Sequence, residues 1–93
     1  MFAVYILASR PRGALYVGRS NDLTERLAHH RLGLSRHTSR YGIRTLVWFE
    51  LHETFAASLQ RERAIKRWRR AWKDELIEAA NPGWLDISGT WAP

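Results

Sequence analysis

The sequence predicts a single small α+β domain over residues 1–93, with three strands and about three helices. Three observations carry that prediction. Two short apolar runs, residues 3–7 and 14–18, flank a reversal containing Pro11 and Gly13, the pattern of a hairpin. A third β-prone run occupies residues 45–51. Segments with apolar residues at helical spacing follow both the hairpin and that third run.

Each hairpin strand carries one tyrosine in an aliphatic run. With Arg10-Pro11 at the turn centre, Tyr5 and Tyr16 are equidistant from it and face each other, about 5 Å apart at Cβ. Two phenols beside an arginine-rich helix suggest a phosphate-handling surface. Asp22 and Glu25 have capping-box spacing, so a helix starts there, runs to about Arg31 or Leu32 and stops at Gly33. Leu23, Leu27 and Leu34 mark its inward stripe, and Arg26 and His30 fall on the same stripe. A charged group facing a core needs a partner. The ordinary explanation is an Arg26 that reaches the domain edge and a His30 satisfied at the boundary.

Residues 34–42 read as a loop in which Arg36, His37 and Arg40 stand among Ser35, Thr38 and Ser39, groups suited to phosphate contacts. The continuous run 45–51 reads as a strand covered on both faces, hence central or helix-flanked. A second helix is expected from Phe55 to about Ala71. Taking Phe55 as reference, Leu59, Glu62 and Lys66 lie within about 40° of it. Glu62 is therefore an acid on the apolar face of a basic segment. Spacing leaves two readings open: an i,i+4 pair with Lys66 worth about 0.3–0.5 kcal/mol, or a single-carboxylate magnesium site. A third helix is expected from Trp72 to about Ala80, with any kink near Trp72, and Asn81-Pro82-Gly83 ends it. The tail residues Trp84, Leu85, Ile87 and Trp91 are apolar enough to pack back on the body, and most of the five tryptophans read as core.

Composition narrows the partners. Fifteen basic residues, thirteen of them arginine, face nine acidic ones for a net charge of +6, and every base lies between Arg10 and Lys73. Such an arginine excess is the electrostatic footprint of a nucleic-acid binder. The absence of cysteine excludes disulfides and thiolate metal sites. The first strand begins at once without a leader pattern, and no apolar run approaches a membrane span, so a soluble cytoplasmic protein with no membrane contact is expected.

Together, Tyr5, Tyr16, Arg26, His30, Glu62 and Asn81 form a set that resembles the GIY-YIG nuclease family. Ala3-Val4-Tyr5 stands where the family has Gly-Ile-Tyr, and Tyr16-Val17-Gly18 stands for Tyr-Ile-Gly. The later stretch, Arg63-Ala64-Ile65-Lys66-Arg67-Trp68 through Asn81-Pro82-Gly83-Trp84, looks like the short stand-alone bacterial members. The resemblance implies a three-stranded antiparallel sheet packed with about three helices, and a divalent-metal-dependent endonuclease with little sequence specificity, DNA being the expected substrate.

It also implies roles. Glu62 would be the one carboxylate ligand of Mg2+ or Mn2+, and Arg26 would hold a phosphoryl oxygen with its planar fork. Tyr5, Tyr16 or His30 would take the proton of the attacking water. Arg19, Arg36, Arg40, Lys66 and Arg67 would contact the backbone, with Gly18 and Asn81 as supporting residues. Repair or processing of DNA is the expectation that family membership adds. The rival from another class is a non-catalytic nucleic-acid-binding module on the same scaffold, with Glu62 a structural ion-pair partner.

Overall fold

Strand β1 (Phe2–Ala8) is the centre of the fold, and its composition explains why. Residues 4–8 are sealed from solvent, and a strand covered on both faces must be apolar throughout. The computed structural model describes residues 1–90, so Trp91 of the apolar tail lies outside the described residues. Strands β2 (Leu15–Ser20) and β3 (Thr45–His52) pair with β1 on either side, both antiparallel, in the order β2-β1-β3.

Alternation along β1 builds two cores. Val4, Ile6 and Ala8 join Val17, Val47, Trp48 and Trp84 with Ile65 of α3 (Phe55–Arg67) and Ile77 of α4 (Arg70–Ala80). On the other face, Ala3, Tyr5 and Leu7 join Leu46, Ile43 and the Leu23 and Leu27 of α1 (Leu23–Arg31). Each large aliphatic side chain so buried contributes about 1.5–3 kcal/mol relative to exposure.

The run expected to be central or helix-flanked is an edge strand with α3 and α4 against it. Pairing passes from Ile6 with Trp48 to Leu7 with Leu46, leaving Val47 as the extra residue of a bulge. Leu46 consequently enters one core while Val47 and Trp48 both enter the other, so the sequence stays apolar without alternation. The C-terminal segment covers the outer edge: Asn81 Nδ2 donates to the Val47 carbonyl (3.0 Å) and the Ile87 N–H to the Leu46 carbonyl (2.9 Å).

The hairpin register also differs from the expected one. A tight turn closes when the Gly13 N–H donates to the Arg10 carbonyl (2.9 Å), with Pro11 at its second position and Arg12 in the left-handed region at φ 58°. The turn centre thus moves to Pro11-Arg12. Tyr5 lies opposite Gly18, and Tyr16 lies opposite Leu7. A shift by two residues keeps the tyrosines on one face as diagonal neighbours rather than opposed partners.

Asp22 caps α1 by accepting the Glu25 N–H (3.1 Å), and Gly33 at φ 75° ends it. Leu23, Leu27 and His30 face inward, whereas Leu34 lies past the helix end and is exposed. The expected loop after Gly33 contains a short helix, α2 (Arg36–Arg40). Helix α3 stops earlier than expected, because Trp68 and Arg69 are extended at ψ 146° and 158°. Its buried residues are Ser58 and Ile65. Phe55 is half exposed, with its ring against Phe2 at 6.0 Å. Trp48 and Trp84 are core, Trp68 packs partly against them, and Trp72 is exposed.

Candidate active site

The site grows from one close approach. Tyr5 faces Gly18 across the β1–β2 ladder, and its ring lies over that residue: a Cβ at position 18 would stand 2.5 Å from Tyr5 Oη. Only glycine leaves room for the phenol to pass over β2. Side chains alternate along β2, so Gly18 belongs to the α1 face and Arg19 to the α3 face of the sheet, opposite Val4.

On the α1 face the helical spacing does what the sequence predicts. Three rings gather: Tyr5 and Tyr16 at 6.2 Å between centroids, and His30 at 6.1 Å from Tyr5 and 5.0 Å from Tyr16. Tyr5 and His30 are fully buried, while Tyr16 keeps part of its surface in solvent. Tyr5 Oη and His30 Nε2 lie 3.2 Å apart, and His30 Nδ1 is 2.8 Å from Thr38 Oγ1 of α2. Thr38 in turn donates to the Ser35 carbonyl at 3.3 Å. Arg26, one helical turn before His30, interacts with both phenols.

These contacts shift the groups' proton affinities. Burial pushes the Tyr5 phenol up to about 12, with the nearby Tyr16 and Glu62 acting in the same direction and Arg26 against it. The hydrogen bond with Tyr5, helped by Tyr16, holds the Arg26 guanidinium above its ordinary value. His30 falls to about 4, first because it is buried and then because Arg26 and His29 repel a second charge. At neutral pH the ring is a neutral hydrogen-bonding group.

On the α3 face stands Glu62. Its carboxylate is mostly buried, with Oε2 3.1 Å from Lys66 Nζ and Oε1 3.5 Å from Arg19 Nε. The Arg19 contact is an ion pair at long range, and this buried nitrogen makes no hydrogen bond. The Arg19 guanidinium lies over the Phe55 ring at 4.3 Å, a cation–π contact that fixes its plane. Arg19 and Arg26 share the wall of a depression of about 310 Å³ bounded also by Phe2, Ser20, Asn21 and Phe55.

Four predicted residues, Tyr5, Tyr16, Arg26 and His30, thus gather on the α1 face, with Gly18 beneath Tyr5, while Glu62 stands on the α3 face near enough to act on the Tyr5 phenol. Arg19 is pinned between Glu62 and Phe55 instead of standing free for a backbone contact. Lys66 is engaged by Glu62, whereas Arg36, Arg40 and Arg67 are exposed. Asn81 is not brought to this site. Its amide clamps the tail against β3, donating to the Val47 and Leu85 carbonyls and accepting the Leu85 N–H. Sequence reasoning set Thr38 among loop groups suited to phosphate contacts, whereas it is buried against His30, and it missed the Arg19–Phe55 contact. Thr38 carries no periodic signal, and Phe55 has the spacing of an ordinary core residue.

Comparison with known proteins identifies the family. Residues 1–75 match the GIY-YIG catalytic domain. A UPF0213 protein from Bacillus pumilus (strain SAFR-032) is 39% identical over 69 residues, covering 71% of this chain and 68% of that one. The solution NMR structure of a UPF0213 protein from Bacillus halodurans has the same fold, with a TM-score of 0.59 over 100% of both chains at 22% identity. The chain belongs to the GIY-YIG family.

Proposed function

We propose that this protein is a divalent-cation-dependent endonuclease that hydrolyses phosphodiester bonds, with DNA as substrate and little sequence preference. The observation that carries this reading is that Arg26 meets two phenols beside a buried imidazole, with the Glu62 carboxylate near enough to act on the Tyr5 phenol. Binding to a nucleic-acid backbone needs only exposed cations. It does not need an arginine set on two phenols or an inward carboxylate.

The residues present fit a hydrated hard cation. Among the described residues, no group of three or more His, Cys, Asp or Glu side chains converges. Glu62 would therefore be the one carboxylate ligand, with water completing the shell, which is the habit of magnesium. The half-exposed Lys66 is the partner able to yield its place on Oε2. When bound, the cation supplies charge stabilisation at the phosphate and the departing oxygen.

The chain's own groups divide the rest. Arg26 offers a planar fork to a non-bridging phosphoryl oxygen. Of the three candidate proton acceptors, Tyr5 and His30 are sealed from solvent, so Tyr16 is the one that reaches the attacking water. Tyr16, set beside Arg26, takes one proton from that water while the new P–O bond forms and the sugar P–O bond breaks, its own phenolic proton passing to solvent. The leaving oxygen draws its proton from solvent. Exposed Arg36, Arg40 and Arg67 add contacts that carry no sequence information.

One observation favours the rival, a non-catalytic nucleic-acid-binding module: both Glu62 oxygens already face cations of the chain itself. The deciding experiment is magnesium-dependent cleavage of single-stranded, duplex and branched DNA by wild type, Glu62→Ala and Tyr16→Phe. Wild-type cleavage lost in both variants is the expected result. Tight binding without cleavage by wild type supports the rival and ends the enzyme reading.

A further inference from the structure

Thr38 is fully buried and bonded to the imidazole at the back of the site. Its position follows from the backbone. Ser35 starts α2, the Ser39 N–H donates to the Ser35 carbonyl (2.9 Å), and the Ile43 N–H donates to the Thr38 carbonyl (2.8 Å). The short helix is thereby fixed at both ends and aims Thr38 Oγ1 at His30 Nδ1.

The two ends of this chain of hydrogen bonds favour one direction for its protons. A threonine hydroxyl has one proton, and the Ser35 carbonyl beside it can only accept. With that proton on Ser35, Thr38 Oγ1 accepts from His30, so Nδ1 bears the ring proton. At the far end, Arg26 can only donate, so its bond with Tyr5 ends on the phenol oxygen. The Tyr5 O–H then points away from Arg26, and His30 Nε2 at 3.2 Å is its acceptor. Both ends favour the same neutral tautomer, with the proton on Nδ1 and Nε2 bare. The opposite tautomer would place two donors, Nε2–H and Arg26, on one phenol oxygen and leave the Tyr5 proton facing them.

We propose that Thr38 is a positioning residue: by holding His30 in the Nδ1–H tautomer it orients the Tyr5 hydroxyl and keeps its oxygen open to the Arg26 fork. The proposal rests on the nuclease reading for its kinetic consequence, but not for its structural one. No proton needs to leave the chain during a turnover. The threonine acts through His30 and Tyr5 and touches neither phosphate nor water.

The test uses the full-length protein with Thr38→Val, which keeps the shape and removes the hydroxyl, and Thr38→Ser, which restores it. The first readout is the pair of His30 ring nitrogen shifts by NMR in the free protein. Wild type and Thr38→Ser should show a protonated Nδ1 and a bare Nε2, and Thr38→Val should shift to the Nε2–H form or a mixture. The second is cleavage kinetics: Thr38→Val should lose about tenfold or more in kcat with KM changed by less than about twofold, and Thr38→Ser should recover most of it. An unchanged Nδ1–H tautomer in Thr38→Val, or wild-type kcat with the tautomer altered, overturns the proposal. Should Thr38→Val not fold, Thr38→Ala removes the same hydroxyl with a smaller packing demand. If wild type cleaves nothing, the nuclease reading fails, and the tautomer readout still decides whether Thr38 sets the imidazole.

Discussion

Acid should destabilise this protein through one imidazole. His30 is fully buried, both its nitrogens meet hydroxyl groups, and burial together with Arg26 and His29 brings it down to about 4 from the ordinary 6.5. The unfolded chain therefore binds more protons than the folded one between those two values, and stability rises with pH across that window. The contribution is complete above about pH 6.5, falls away on acidification and levels off below about pH 4. At about 1.4 kcal/mol per pH unit the whole window is worth about 3 kcal/mol, of which about 2.5 is already gone near pH 4.5. That is a large share of the roughly 5–15 kcal/mol by which a domain of this kind is stable.

The assay is urea unfolding of wild type and His30→Gln at neutral pH and near pH 4.5, at one ionic strength. Glutamine keeps a donor and an acceptor but does not titrate. His29 and the carboxylates are common to both proteins and cancel in the comparison. Wild type should lose about 2.5 kcal/mol more than the variant on going to the lower pH. Equal losses would mean that the folded His30 protonates as readily as the unfolded one, and the picture of a sealed ring held between Tyr5 and Thr38 would be wrong.

Three further outcomes follow from the packing. Gly18→Ala places a Cβ 2.5 Å from a buried, rigid phenol, and should cost about 1–3 kcal/mol in urea unfolding and abolish cleavage. Wild-type stability with wild-type cleavage would show that Tyr5 does not cross residue 18. Asn81→Ala removes three hydrogen bonds that clamp the tail on β3, and should cost about 3 kcal/mol of stability while leaving kcat per folded molecule within about twofold. A selective loss of kcat without loss of stability would return Asn81 to the site. Lys66→Met frees one Glu62 oxygen, and because the lysine is half exposed its pair is weak. Manganese affinity of the DNA-free protein, read by electron paramagnetic resonance, should rise about two- to threefold at low salt, and no rise would mean that Glu62 is not the ligand.

Much of the site was legible because helices are periodic. Once Asp22 and Gly33 bound α1, a spacing of four residues was enough to put Arg26 and His30 on one stripe with Leu23 and Leu27. Glu62 was readable as an acid turned inward for the same reason, although the stripe it borders is Ser58 and Ile65 and not Phe55. What escaped was set by single backbone conformations. Arg12 in the left-handed region moved the hairpin register by two residues, and one bulged residue, Val47, removed the alternation that would have marked β3 as an edge strand. The helix break at Trp68 and Arg69 carries no proline or glycine, so no local signal marks it. Thr38 is brought to His30 by a short helix in a stretch with no apolar pattern.

The hairpin register joins these separate findings. Had Tyr5 and Tyr16 faced each other directly, residue 18 would have had no phenol opposite it to accommodate. With the observed pairing, Tyr5 crosses the ladder above Gly18, and its hydroxyl comes under the influence of Glu62 from the opposite side of the sheet. Arg19, the next residue on β2, points to that opposite side and meets Glu62 there. The glycine that ends the second tripeptide thus lets groups from two cores act at one place. A side chain at that position would leave Arg26 and the imidazole on one face and the carboxylate on the other.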